Sequence, residues 1–158
     1  MPVADLPTEA LALAWAAQLR AATWEEVVAW ADGWILRLDS PPAEVLDLSL
    51  SGGRPDEAFT WLRRLAQSGD PEAALSILAG RLLQALNVGA VGSDFLAVHL
   101  RRLDFLSVPE VPDDVRLPEP PEEFLAAVRE LPYLLESWSP QFTGDVTAEV
   151  TEALQRFR

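Results

Sequence analysis

Apolar residues recur along the first 106 residues at the three- and four-residue spacing of one face of an α-helix. Leu11, Trp15 and Leu19 form such a stripe in the first segment. In the second segment Trp30 and Trp34 keep the same spacing, and Glu25 and Asp32 fall on the opposite face. β-branched residues are scarce, and apolar and polar positions do not alternate as they would in a strand. The pattern predicts an all-α protein.

Capping residues and prolines indicate where the helices begin. Thr23 followed by Glu26 is a capping box, and Thr8 is expected to cap the first helix. Ser40 with Pro41 is expected to start the third helix. Helix starts are expected near residues 8, 23, 40, 55, 70, 93, 122 and 144. Short connections and similar lengths predict an antiparallel array of seven to eight helices, either a bundle or short stacked helix pairs.

Each predicted helix has one apolar stripe, which a neighbouring helix has to cover. The residues expected in the shared core are Trp15, Val27, Trp34, Leu46, Leu48, Leu62, Leu75, Leu82 and Leu103. Truncating a large member of this set, such as Trp34, to alanine is expected to lower the free energy of unfolding by about 3–5 kcal/mol.

One segment breaks the helical pattern, because residues 107–121 contain five prolines among many acids. Prolines lack a backbone donor and acids resist burial, so this segment is expected to be an extended connector. The C-terminal helices of residues 122–158 follow it. The whole chain, residues 1–158, is expected to form a single helical domain.

The charge is strongly acidic, with a net value of −13, and it is unevenly distributed. Residues 1–60 carry ten acids and three arginines, a net −7, and residues 107–158 carry eleven acids and four arginines, also −7. The middle of the chain, with four acids and five arginines, has a net +1. A polyanion would be repelled by both ends, so nucleic acid is not expected as a partner. The charge is expected either to attract a basic protein partner, which is favoured, or to serve solubility alone.

Residues that carry chemistry are few. There is no cysteine, and the single histidine, His99, lies inside a predicted helix, where a structural or a surface position is expected. No nucleophile motif, calcium loop or phosphate-binding loop is present in the sequence. Most acid pairs fall in first turns of helices, where they complement the helix dipole. The sequence therefore predicts a protein that is not an enzyme and needs no cofactor and no metal.

The N-terminal residues are not expected to form a secretory signal, since Asp5 and Glu9 stand where a basic segment would be needed. The apolar stretch of residues 10–17 is too short to span a membrane. A cytoplasmic location is expected, without membrane association. All twelve basic residues are arginine, which with abundant alanine, leucine and proline is typical of a GC-rich bacterial genome.

The run Trp30-Ala31-Asp32 and the segment of residues 41–50 (PPAEVLDLSL) resemble small acidic helical bacterial proteins of unknown function. Some of these are similar to immunity proteins, which are encoded beside toxins. The resemblance lies within residues 30–50 and contains no functional motif, so it assigns no site residue. It implies an acidic protein that neutralises a basic protein partner. The alternative is an intracellular helical scaffold or adaptor.

The residues expected to contact such a partner are exposed acids and two tryptophans. Trp24 stands at the start of a helix and Trp138 precedes a proline, so both are expected to be partly exposed and to act as anchors. The acids of this predicted surface are Glu25, Asp32, Asp113, Asp114, Glu122 and Glu123.

Overall fold

The computed structural model describes residues 5–52, 54–100, 103, 116–131 and 147–158. Eight helices are found there, and no strand lies within these ranges. The all-α prediction is therefore confirmed. The helices are α1 (Leu6–Gln18), α2 (Trp24–Arg37), α3 (Ala43–Leu50), α4 (Pro55–Ala66), α5 (Pro71–Asn87), α6 (Ser93–Leu100), α7 (Glu122–Arg129) and α8 (Thr147–Phe157).

The predicted capping box of α2 is present. The hydroxyl of Thr23 accepts a hydrogen bond from the backbone N–H of Glu26 at 3.2 Å, and the Glu26 carboxylate accepts one from the N–H of Thr23 at 3.1 Å. Pro55 and Pro71 occupy the first turns of α4 and α5 as expected. The Asp70 carboxylate caps α5 by accepting from the N–H of Glu72 at 3.2 Å.

Two predicted helix starts are wrong. Asp5, not Thr8, caps α1, because its carboxylate accepts a hydrogen bond from the Thr8 N–H at 2.9 Å. Pro7 fits in the first turn of α1, where a missing N–H has no consequence, so the helix begins two residues before Thr8. α3 begins at Ala43 and not at Pro41, and Pro42 at its N-cap makes no side-chain capping bond.

α1 is the most buried helix of the described chain. The seven consecutive residues from Ala10 to Ala16 are all buried, as is Leu19 after the helix end. α1 contacts α2, α4 and α5, which cover it on several sides. A helix that is apolar all round is one that its neighbours have to enclose, so the composition of α1 matches its place in the fold.

The other helices pack around this centre in two groups. α3 contacts α2 and α4, and α8 contacts α5, α6 and α7. Within the described ranges, no helix is both long and apolar enough to cross a bilayer.

Seven of the nine residues predicted for the core are buried: Trp15, Val27, Leu48, Leu62, Leu75, Leu82 and Leu103. Leu46 is 41% exposed, so its placement in the core was wrong. The short helix α3 buries only Val45 and Leu48, and Leu46 falls outside that stripe. The prediction that Trp34 is buried in the core was also wrong, because Trp34 is only partly buried, at the edge of the core.

Only the last six residues of the predicted connector, 116–121, lie in the described part of the chain. There Leu117 and Pro120 are buried. The backbone carbonyl of Pro118 accepts a hydrogen bond from the indole N–H of Trp15 at 3.2 Å. This end of the connector therefore packs against α1. Residues 107–115 fall outside the described ranges.

Candidate functional site

The acidic groove

A groove with a volume of about 620 Å³ lies between α2 and the turn from α3 to α4. We call it the acidic groove, and its lining residues are Trp24, Glu25, Val28, Ala29, Asp32, Gly52 and Pro55. Its volume falls in the range of about 300–1,000 Å³ that is usual for ligand sites. It combines an aromatic ring, small apolar residues and two carboxylates.

Trp24 is held in place from α4. Its ring makes an edge-to-face contact with Phe59, with ring centroids 5.9 Å apart and an interplanar angle of 79°. The guanidinium of Arg63 lies over the Phe59 ring at 4.1 Å, and burial lowers the pKa of Arg63 below its ordinary value. Trp24 is partly buried by these contacts and lines the groove. An aromatic side chain fixed in this way loses little freedom when a partner binds.

The two carboxylates of the acidic groove are not paired with any arginine that the structure describes. Glu25 and Asp32 are both exposed. Asp32 accepts a hydrogen bond from the hydroxyl of Ser49, which joins α2 to α3 and orients the carboxylate without neutralising it. The groove therefore has a negative potential.

Three of the residues predicted from the sequence, Trp24, Glu25 and Asp32, are brought together in this groove. Glu122 and Glu123 are exposed in the first turn of α7 and do not line it. Glu122 forms a salt bridge with Arg129 at 2.6 Å. The remaining predicted positions, Asp113, Asp114 and Trp138, lie outside the described residues.

The Glu9 cavity

A second site was missed by the sequence analysis. The indole N–H groups of Trp30 and Trp34 both donate to one carboxylate oxygen of Glu9, each at 3.0 Å. The two rings meet edge to face with centroids 6.5 Å apart. A partly buried indole N–H needs a hydrogen-bond acceptor. In the sequence, this requirement was the one indication that an acid would lie beside Trp30 and Trp34. Local sequence does not show which of the many acids supplies it, because Glu9 belongs to a different helix.

Glu9 opens onto a cavity of about 230 Å³, which we call the Glu9 cavity. Its walls come from α1, α2 and α5. The lining residues include Glu9, Leu13, Trp30, Ile77, Leu78 and Arg81. At 100° per residue, Trp30 and Trp34 project from the side of α2 opposite to the acidic groove. The two sites are therefore separate.

Arg81 is fixed at the rim of the Glu9 cavity. Its Nε donates to the backbone carbonyl of Ala21 at 3.2 Å, and its Nη2 forms a salt bridge with Glu26. These bonds tie α5 to the start of α2. They also hold a positive charge beside the cavity. Arg81 lines a neighbouring cleft of about 400 Å³ as well, together with Arg20 and Gln84.

His99 is buried in α6, and its ring stacks on Phe95 with centroids 3.8 Å apart. Its Nδ1 lies 2.8 Å from the Phe95 carbonyl oxygen, within hydrogen-bonding distance. It lines neither the acidic groove nor the Glu9 cavity.

No protein-family model, no curated protein and no solved structure matches this chain.

Proposed function

We propose that this chain is a non-catalytic protein that binds a basic segment of a protein partner in the acidic groove. The observation that carries the proposal is the meeting of Trp24, Glu25 and Asp32 in one groove. A basic toxin of the kind that immunity proteins neutralise would fit this chemistry.

The groove suits the side chain of an arginine or a lysine. The aliphatic part of such a side chain is apolar and packs well on Trp24 and Val28. Its charged end would reach Glu25 or Asp32, and a cation over the indole face adds about 0.5–2 kcal/mol. Because the two carboxylates are not neutralised by a described arginine, the partner supplies the missing charge.

The distance between Glu25 and Asp32 determines how far apart the two basic residues of a partner should be. Glu25 and Asp32 are seven residues apart on α2, which places them on the same face and about 10 Å apart along the helix axis. Two basic residues about 10 Å apart would engage both. A helical partner segment meets this requirement with residues seven positions apart.

The net charge of −13 supports the same proposal at longer range. An acidic surface attracts a basic partner before contact and raises the association rate. This attraction is screened by salt, because the Debye length is only about 8 Å at physiological ionic strength.

The test uses a fluorescently labelled alanine-rich peptide with two arginines seven residues apart, and follows its anisotropy. We expect the double substitution Glu25→Arg/Asp32→Arg to weaken binding at least about tenfold. The matched control is Glu123→Arg/Glu130→Arg, which changes the net charge by the same amount at two exposed positions seven residues apart, outside the groove. Equal weakening by both pairs would show a general charge effect and overturn the role of the groove.

A helical scaffold or adaptor is the second candidate, and exposed leucines favour it. Leu46 and Leu50 lie one turn apart on α3 and are 41% and 77% exposed, and Leu36 at the end of α2 is 88% exposed. Adjacent exposed apolar side chains, such as Leu46 and Leu50 on α3, favour a protein–protein contact when they form a contiguous patch. If a native partner is released by Leu46→Ser/Leu50→Ser but not by the reversals in the groove, the scaffold function is the better account.

A further inference from the structure

The Glu9 cavity joins a half-buried carboxylate to an apolar wall. Oε2 of Glu9 accepts both indole N–H bonds, and Oε1 receives no hydrogen bond from any group that the structure describes. Glu9 also makes no salt bridge with a described arginine. The two indole N–H groups are neutral donors, so they orient the carboxylate without supplying a positive charge. One oxygen is thus held in place while the other stays available for a cation.

The rest of the cavity defines the size and polarity of its occupant. Leu13 and Leu78 are buried, and Ile77 is partly exposed at the surface, so three aliphatic side chains line the space. The volume of about 230 Å³ is below the range of about 300–1,000 Å³ that holds drug-sized ligands. The space therefore suits a small molecule with a short aliphatic group.

Arg81 limits the charge of the occupant. Its guanidinium is fixed at the cavity by Ala21 and Glu26. A second cation on the ligand would be placed near this guanidinium, and like charges at such short range repel each other. A ligand with one positive charge is favoured over a polyamine.

We propose that the Glu9 cavity binds a small primary amine with one short aliphatic group. The ammonium lies against Oε1 of Glu9, where it forms a charge-assisted hydrogen bond, and the aliphatic group packs on Leu13, Ile77 and Leu78. Trp30 and Trp34 are positioning residues, since they fix the carboxylate through their N–H groups. This site does not depend on the acidic groove or on a protein partner.

The probe is isoamylamine, and binding is measured by calorimetry and by the fluorescence of the tryptophans. The matched controls are isoamyl alcohol, which has the same aliphatic group without the charge, and putrescine, which has two charges. We expect isoamylamine to bind at least about tenfold more tightly than either control. Equal binding of the amine and the alcohol would overturn the role of Glu9, and tighter binding of putrescine would overturn that of Arg81.

Two variants separate a ligand site from a structural brace. Glu9→Gln keeps an acceptor for the indoles but removes the charge, so amine affinity should fall at least about tenfold. Ile77→Trp fills the cavity from its partly exposed side and should abolish binding while Glu9 is unchanged. Glu25→Arg/Asp32→Arg should leave amine binding intact, which keeps this test independent of the acidic groove. If the wild-type protein binds no isoamylamine at millimolar concentration, Glu9 only braces the two tryptophans and the proposal fails.

Discussion

At the start of α1, Asp5 and Thr8 have different roles: one caps the helix and the other contacts a distant part of the chain. The Asp5 carboxylate caps the helix, and the Thr8 hydroxyl accepts a hydrogen bond from the backbone N–H of Asp70 at 3.1 Å. Both residue types are good caps, so the local sequence allowed either. The partner of Thr8 lies 62 residues away, and a local pattern cannot show it. This explains why Thr8 was predicted as the cap and is instead a link between α1 and α5.

The Asp5 cap should make stability depend on pH. Hydrogen bonds from Thr8 lower the pKa of Asp5, so its contribution is present above the ordinary Asp pKa of about 3.9 and is lost as the pH falls through the lowered folded value. Replacing Asp5 by alanine should cost about 1 kcal/mol at neutral pH. Urea denaturation at neutral and acidic pH should show that difference shrinking below about pH 4. Asp39→Ala, an exposed acid outside any cap, is the control, and an equal effect there would contradict the assignment.

Gly69 stands where two segments touch. A Cβ at this position would lie 2.6 Å from the carbonyl oxygen of Pro7 and 3.1 Å from the Cβ of Leu11. The Pro7 backbone cannot yield easily, so Gly69→Ala should destabilise the fold by about 1–3 kcal/mol. Gly80→Ala is the matched control, because a Cβ on this helical glycine meets nothing within 4 Å. It should stabilise by about 0.4–1 kcal/mol. Thermal melting of the two variants checks both signs.

The helices themselves were largely predictable, because each carries its own apolar stripe and its own start signal. The starts of α2, α4 and α5 agree with the sequence, since a capping box or a first-turn proline is a local feature. The end of α1 has no such local signal, because no glycine follows it. There Arg20 adopts the left-handed conformation with φ of 56°. The backbone N–H of Ala21 reaches the carbonyl of Ala16 at 2.8 Å, which closes a Schellman motif.

Arg20 occupies the position that glycine usually takes in this motif. A side chain in the left-handed region is strained by about 1–2 kcal/mol relative to glycine. Arg20→Gly should therefore raise the free energy of unfolding, partly offset by the greater freedom of glycine in the unfolded chain. Chemical denaturation measures this change in the free energy of unfolding. The control is Arg37→Gly in the last turn of α2, which should destabilise the protein. A loss of stability at Arg20 would mean that its side chain makes a contact stronger than the strain.

Each of the two candidate sites could be predicted from the sequence only in part. Glu25 and Asp32 share one face of α2, and Trp24 is the neighbour of Glu25 in the sequence, so the proximity of the three follows from local structure. The opposite wall of the acidic groove, Gly52 and Pro55, comes from another part of the chain and depends on how α3 and α4 pack. The link from Glu9 to Trp30 likewise requires α1 and α2 to meet, which no local pattern specifies.

At the scale of the whole molecule, Trp15 joins distant parts of the chain. Its ring is fully buried in α1, and its N–H bonds the carbonyl of Pro118, 103 residues away. Trp34, by contrast, is partly buried, and its ring is covered by the guanidinium of Arg37 at 4.2 Å. Trp15 is fully buried and Trp34 only partly buried. Comparing their alanine variants therefore measures how much full burial of a tryptophan contributes to the free energy of unfolding.

Trp15→Ala should lower the free energy of unfolding by about 3–5 kcal/mol, because it leaves a large cavity in the centre of the fold. Trp34→Ala should cost less, since solvent can fill part of the space that its ring leaves. This revises the sequence-based expectation, which placed Trp34 in that range. Trp15→Phe keeps most of the apolar volume and removes the bond to Pro118, so its cost should lie well below that of Trp15→Ala. Urea denaturation followed by circular dichroism ranks the three variants. A cost for Trp34→Ala equal to that of Trp15→Ala would contradict the central position of α1.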